Sequence, residues 1–220
     1  MNPDRLHHWF LALLSLAAGC IDAIAFIRVG VFPANMTGNT VVLATSLFLP
    51  GSDAALLSAL ALLGFCLGVA GGAWFLRPAP RGWSRRTDFS ILAGAVLVLA
   101  ASLAIYFTGD RWMGFIILST SAAMGLQSAA VQKLGVAGVA TVFMTGTLTA
   151  AMSRVVGVAL DHPTGESGRW LPAITWGSYF LGAFIGGLHR VLHTDWPLIL
   201  PATLLLVISV IGLSRRPYLG

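Results

Sequence analysis

Apolar residues in this chain come in long unbroken runs, and polar residues gather in short segments between them. Six runs are long enough to cross a bilayer, which needs about 20 apolar residues. They are Trp9–Ile27, Ala54–Leu76, Phe89–Phe107, Trp112–Val131, Trp170–Leu188 and Trp196–Leu213. Trp9, Trp112, Trp170 and Trp196 start four of them, as interfacial aromatic anchors do. Two further segments, Val31–Leu49 and Val136–Leu160, are apolar but irregular, and each holds Met-Thr-Gly near its middle. A helix from Thr37 to Leu49 would be about 20 Å long at 1.5 Å per residue. That is short of the ~30 Å hydrocarbon core. Extended chain over Val31–Met36 would add about 20 Å at ~3.3 Å per residue. The pattern thus predicts a short helix that dips and returns, or a crossing made of extended chain plus helix.

The polar punctuation repeats. Gly19-Cys-Ile-Asp-Ala, a Gly30-Val pair and Asn35-Met-Thr-Gly-Asn are echoed by Gly125-Leu-Gln-Ser-Ala, Gly135-Val and Phe143-Met-Thr-Gly-Thr. The offset is 106 at Gly19 and 108 at Thr37. Gly64-Phe-Cys-Leu-Gly68 resembles Ser178-Tyr-Phe-Leu-Gly182, and Thr87-Asp-Phe resembles Thr194-Asp-Trp. Residues 1–107 and 108–220 therefore read as two membrane repeats of one integrated domain. Internal repeats in an apolar chain mark many transporter folds.

Composition restricts the class further. Of 220 residues, 57% are hydrophobic and only 10% charged; soluble domains carry about 25% charged residues. The net charge of +5 resides in connecting segments, which suits the positive-inside rule and not a nucleic-acid face. Charge also chooses between the two geometries of the short segments. If both segments cross, Lys and Arg divide 7 to 6 between the two sides; if both dip and return, they divide 10 to 3. The second division obeys the positive-inside rule. The expectation is an all-α integral membrane protein with six transmembrane helices, two short re-entrant helices and both termini cytoplasmic. Three spans per half make the repeats inverted in topology. Gly19-Cys20 after an apolar run also resembles a lipoprotein cleavage site, but the same Gly-x-x-x-Ala recurs at Gly125, so a retained first helix is expected.

Chemistry concentrates at the breaks. Non-helical backbone at membrane depth must be buried or line a watery cavity. Each helix start offers free N–H groups and a partial positive charge. Thr37 and Thr145 can cap these starts, Gly38 and Gly146 allow close approach, and Asn35 and Asn39 add amide donors in the first copy. Together these residues make a candidate anion or carboxylate site; the alternative is capping alone. Asp22 is the one acidic residue inside an expected span, where an unpaired carboxylate is costly and functional by default. It could carry a proton or ligate a cation, or merely accept hydrogen bonds from threonine hydroxyls or free backbone N–H at the break. The second copy places Gln127 and Ser128 there.

The remaining polar and small residues carry weaker signals. Gly64, Gly68, Gly72, Gly182 and Gly186 permit close helix packing within the chain, with a homodimer face as the alternative. His189 and His193 share a helix face but lack a third ligand. Arg154 either faces the cavity or snorkels to the interface. Cys20 and Cys66 read as buried free thiols. No soluble-enzyme signature is present, and the one acidic residue inside an expected span has no partnered base in view, so neither an enzyme nor a cofactor is expected, and an intramembrane enzyme is the least supported alternative.

Gly19-x-x-Asp22-Ala23, Phe32 and Asn35-Met-Thr-Gly-Asn-Thr40, with Phe65-x-x-Gly68 and the second Thr145-Gly146, resemble the signature of YoaK-type bacterial membrane proteins, a family of unknown function. The resemblance covers most of the chain and implies a multi-pass protein of the bacterial plasma membrane, without a substrate. The Asn-x-x-Gly string is also similar to one in fluoride channels, which lack this double-length repeat. The reading favoured by the residues is a secondary transporter of a small anionic or carboxylate-bearing solute. Asn35, Thr37, Gly38, Asn39, Thr145 and Gly146 would line its site, and Asp22 would couple a proton or cation. A passive channel and a non-transporting scaffold are the alternatives. The expected partners are the lipid bilayer and the solute or ion, with no nucleic acid.

Overall fold

Long apolar runs punctuated by glycine and capping residues can satisfy their backbone in lipid only as helices. A computed structural model of the chain describes residues 3–48, 53–136, 138–142, 144–159, 169–192 and 197–214. Every regular element among these residues is α-helical. They are α1 (Pro3–Val29), α2 (Met36–Ser46), α3 (Ala54–Leu76), α4 (Arg85–Thr108), α5 (Met113–Leu134), α6 (Met144–Ala159), α7 (Leu171–Leu192) and α8 (Ile199–Ser214). Helices α1, α3, α4, α5 and α7 are long and apolar enough to cross a membrane. Six were expected. The sixth, α8, has 16 described residues, about 24 Å of helix, and Trp196 lies outside the described residues. Large apolar side chains such as Trp74, Phe107 and Phe184 are exposed around the bundle, as a lipid-facing surface requires. Cys20 is buried, but Cys66 is exposed on α3, which corrects its reading as a buried thiol.

Local chemistry sets the boundaries. α4 begins four residues before the expected span because Ser84 and Thr87 form a reciprocal capping box, satisfying otherwise orphaned N–H groups. This start draws Asp88 fully into the interior. Asp22 is therefore not the one acidic residue within a spanning helix. α1 and α5 each give way to a left-handed glycine, Gly30 (φ 73°) and Gly135 (φ 66°), a conformation glycine adopts without steric cost.

The tightest packing joins α1 to α7 and α3 to α5, and it is the same contact made twice. A Cβ on Gly182 would lie 2.0 Å from the Leu16 carbonyl oxygen; one on Gly68 would lie 2.1 Å from that of Ala122. Reciprocally, Gly19 abuts the Tyr179 carbonyl and Gly125 that of Phe65. Gly64, Gly68, Gly72, Gly182 and Gly186 thus admit a neighbouring helix of the same chain.

The contacts also give the helix directions. Gly64, Gly68 and Gly72 meet Leu118, Ala122 and Leu126 in ascending order, so α3 and α5 run parallel. Gly182 and Gly186 meet Leu16 and Cys20 likewise, so α1 and α7 run parallel. The Ser90 hydroxyl bonds the Leu126 carbonyl, while Gly94 faces Ala123, so α4 and α5 are antiparallel. Trp83, before α4, packs against His7 and Phe10 at the start of α1. At the other end Arg28 of α1 forms an ion pair with Asp110, just after α4. α5 therefore begins at the end of the bundle where α1 finishes.

Candidate functional site

Between Gly30 and Met36 the backbone leaves its helix, and each freed polar group needs a partner. Asn39, fully buried on α2, reaches back across this segment. Its Oδ1 accepts the Phe32 N–H at 2.8 Å, and its Nδ2 donates to the Phe32 carbonyl. Asn35 is the N-cap of α2, accepting the Gly38 N–H at 3.2 Å. Thr37 was expected in that role. It sits one residue inside the helix, and its hydroxyl instead donates to Asn35 Oδ1 at 2.9 Å. The segment is pinned to α1 through Asp22, whose Oδ1 accepts the Ala34 N–H at 2.7 Å. Asp22 Oδ2 accepts the Tyr179 hydroxyl of α7 at 2.6 Å.

The second break is pinned by different residues at equivalent places. Thr147, 108 positions after Asn39, accepts the Ala140 N–H at 3.1 Å and donates to the Ala140 carbonyl at 3.0 Å. Gln127 Nε2 donates to Thr141 Oγ1 at 2.9 Å and to the Leu14 carbonyl of α1 at 3.1 Å. Phe143, quoted in the repeat, lies outside the described residues.

The two breaks share one cavity of about 300 Å³. Asn35, Met36 and Thr37 line it from the first copy, Met144, Thr145 and Gly146 from the second, and Tyr179 from α7. The first turns of α2 and α6 thus both border it, bringing two helix N-termini to one space without a charged side chain in its lining. Four of the six expected binding residues are there. Gly38 and Asn39 are not: Gly38 packs on the Phe32 ring, and Asn39 is consumed by the backbone clamp. Asp22 is 2% exposed and meets the cavity through its hydrogen-bond partners Tyr179 and Ala34, which both line it. Ser128 lines a second cavity of about 180 Å³ that runs along Gln132, Gly135 and Thr141 and shares Val142 with the first. Gln127 is buried beside it. Arg154 does not line the main cavity; its guanidinium donates to the Arg169 carbonyl. His193 lies outside the described residues, and among the described residues no three His, Cys, Asp or Glu side chains gather as a metal site would need.

Three residues escaped the sequence reading. Tyr179 stands in the echoed Ser178-Tyr-Phe-Leu-Gly182 string opposite Phe65, and that hydroxyl was its signal. Thr147 stands opposite Asn39, both able to donate and accept. Asp88 accepts the Trp83 indole N–H at 2.6 Å, and its Oδ1 occupies the space where a Cβ on Gly212 would fall. The charged flank of α4 hid it.

Residues 10–211 match the family described as "Protein of unknown function (DUF1275)". The chain is 30% identical over 159 residues to the UPF0700 transmembrane protein YoaK of Bacillus subtilis (strain 168), covering 71% of each chain. No solved structure matches it. A multi-pass membrane protein with a broken-helix cavity, it belongs to the DUF1275 family of transmembrane proteins of unknown function.

Proposed function

We propose that the protein is a secondary transporter, not an enzyme, for a small anionic or carboxylate-bearing solute, with Asp22 as the proton- or cation-coupling group. One observation carries the reading: the N-terminal turns of two short helices, one from each half, border a single cavity. Paired half-helix N-termini at mid-membrane suit anionic groups in transporters built from inverted repeats. At about 300 Å³ the cavity lies at the small end of ligand pockets, which favours a compact solute.

The topology that goes with this reading has six spans and two inverted repeats, residues 1–107 and 108–220. It is supported by the contact α1–α7 recurring as α3–α5, and by α5 starting where α1 finishes. α3 runs opposite to α1, so α2 leaves and rejoins one end of the bundle; α6 does the same at the other end. Lys133 meets Gly82 in the loop before α4, close to Arg77, Arg81, Arg85 and Arg86 in sequence. By the positive-inside rule that end, with the termini, faces the cytoplasm, in a bacterial plasma membrane.

Uptake of labelled acetate, lactate and nitrate into proteoliposomes tests the function. The expected result is flux accelerated by an inward proton gradient, reduced by Thr37→Val with Thr145→Val, and freed from the gradient by Asp22→Asn. Flux insensitive to the gradient in the unaltered protein would point to the channel. No flux above empty vesicles for any of the three solutes would remove the anion-transport reading.

A further inference from the structure

Asp22 cannot reach the cavity that it is proposed to couple. It is 2% exposed, and one side chain stands between: Tyr179, which donates its hydroxyl to Asp22 Oδ2 at 2.6 Å and lines the cavity with its own surface. We infer that the Tyr179 hydroxyl is the moving part of the site, a donor to Asp22 when that carboxylate is charged and a donor to the bound solute when it is protonated. The inference rests on the transporter reading for its solute, but the hydroxyl switch itself does not.

The chain contains its own comparison. The contact between α1 and α7 recurs between α5 and α3, where Gly19 against the Tyr179 carbonyl is matched by Gly125 against the Phe65 carbonyl. In that second setting the carboxylate position holds Ser128 and the hydroxyl position holds Phe65. Acid and phenol are thus both present at one contact and both missing at the other, although the glycine packing is kept at both. A tyrosine needed only to fill the helix interface would have no reason to follow the acid. The backbone N–H of Ala34 already bonds Asp22, so the first break has its anchor without the phenol.

The proton arithmetic closes with one proton. A charged Asp22 accepts two donors: the Ala34 backbone N–H, fixed by the chain, and the Tyr179 O–H, free to rotate. When a proton arrives from the cavity side, the phenolic hydrogen passes to Oδ2 and the arriving proton takes its place on the phenolic oxygen, so Oδ2 becomes a donor and the Tyr179 oxygen its acceptor. The phenolic hydrogen must then turn away, and the remaining polar space beside it is the cavity. An anion there gains a hydroxyl donor in addition to the helix N-termini. Proton and anion each favour the binding of the other, as linkage requires. Few other groups could substitute. Around Asp22 on α1 the nearest ionisable side chain is Cys20; Arg28 is held by Asp110. On α7, His189 lies ten residues beyond Tyr179, and Gln127 of α5 bonds α1 two turns earlier, at Leu14.

Infrared difference spectroscopy during a pH titration of the lipid-reconstituted full chain, with ring-labelled tyrosine, reads the switch without any solute. Asp22→Asn identifies the Asp22 carboxyl band. The expected result is that the Asp22 band and a tyrosine C–O band change together at one midpoint. Tyr179→Phe abolishes the tyrosine change and moves the Asp22 midpoint by roughly tenfold or more in proton concentration, the scale of one lost hydrogen bond to a charged group. Phe65→Tyr, at the mirrored contact, leaves both unchanged. An Asp22 band that does not titrate, titrates with no tyrosine change, or keeps its midpoint in Tyr179→Phe overturns the switch. Acetate uptake in the same vesicles separates the two claims. Joint titration without uptake retains the switch and removes acetate as a solute. Uptake with unaltered proton dependence in Tyr179→Phe retains the transporter and removes the switch.

Discussion

Two glycines should decide how tightly the halves are joined, and Gly182→Ala with Gly68→Ala measures it. The added methyl would lie 2.0 Å from the Leu16 carbonyl oxygen in the first case and 2.1 Å from that of Ala122 in the second. Ordinary contact begins at 3.4 Å, so each helix pair must part by about 1.4 Å or bend. The obstacle is backbone and cannot rotate aside. Overpacking of this kind costs about 1–3 kcal/mol, and the rigid obstacle puts the expectation near 3 kcal/mol at each site. Gly177→Ala and Gly71→Ala add the same methyl to the same helices with nothing within 4 Å. They should change stability only by the gain in helix propensity, up to about 1 kcal/mol. Equilibrium unfolding in mixed micelles, followed by tryptophan fluorescence, compares the four variants. Costs at Gly68 and Gly182 within about 1 kcal/mol of each other are expected from the duplicated contact. If either interface variant behaved like its control, the close approach of the helices would be wrong.

The same titration checks three further expectations. Asn39→Val removes both partners of Phe32 and should cost about 3 kcal/mol, since each buried unpaired backbone group costs about 1–3 kcal/mol. Asn39→Thr copies the hydroxyl clamp of Thr147 and should recover about half; equal losses would refute the clamp. Gly212→Ala places a methyl 1.9 Å from Asp88 Oδ1 and should cost about 2 kcal/mol, falling below about 0.5 kcal/mol when Asp88 is first shortened to Ala; additivity would show that the two do not meet. Arg28→Gln should cost under about 1 kcal/mol, because its partner Asp110 is 64% exposed and such pairs are weak. A larger, salt-independent loss would mean that Arg28 has a structural task other than the ion pair.

Much of the scaffold was legible because lipid imposes one rule on the backbone. Wherever about 20 apolar residues ran together, a helix was the available answer, and α3 matches its expected bounds, Ala54–Leu76. The short helices were legible from their Met-Thr-Gly starts and begin at Met36 and Met144. What failed was local. A hydropathy run cannot see that Ser84 and Thr87 cap each other, so α4 seemed to begin at Phe89, leaving Asp88 outside. Nor does composition say which of several polar residues near a break will cap it. Asn35 takes the Gly38 N–H because it precedes the first helical residue, Met36, while Thr37 is already inside the helix.

The division between residues that line the cavity and residues that hold the chain was the part that no linear pattern contained. Asn39 and Thr37 are both polar, two positions apart on one short helix, yet only Thr37 lines the cavity. Rotation of the helix decides this, and that rotation is set by Asn39 itself. Its amide is consumed at Phe32, so its face must turn inward against the chain, and Thr37 lies on the other side. Thr147 does the same for α6 at Ala140, leaving Thr145 and Gly146 at the cavity. Each half therefore uses one buried polar residue to aim a helix start, and the copies agree in geometry where they differ in residue type. They disagree where Asp22 and Tyr179 face each other and Ser128 and Phe65 do not. A twofold scaffold would give two equivalent coupling groups. On the proposed transporter reading, one acid and one phenol, confined to a single helix pair, would give one, and a single exchangeable proton beside the shared cavity would be what stoichiometric coupling to one solute needs.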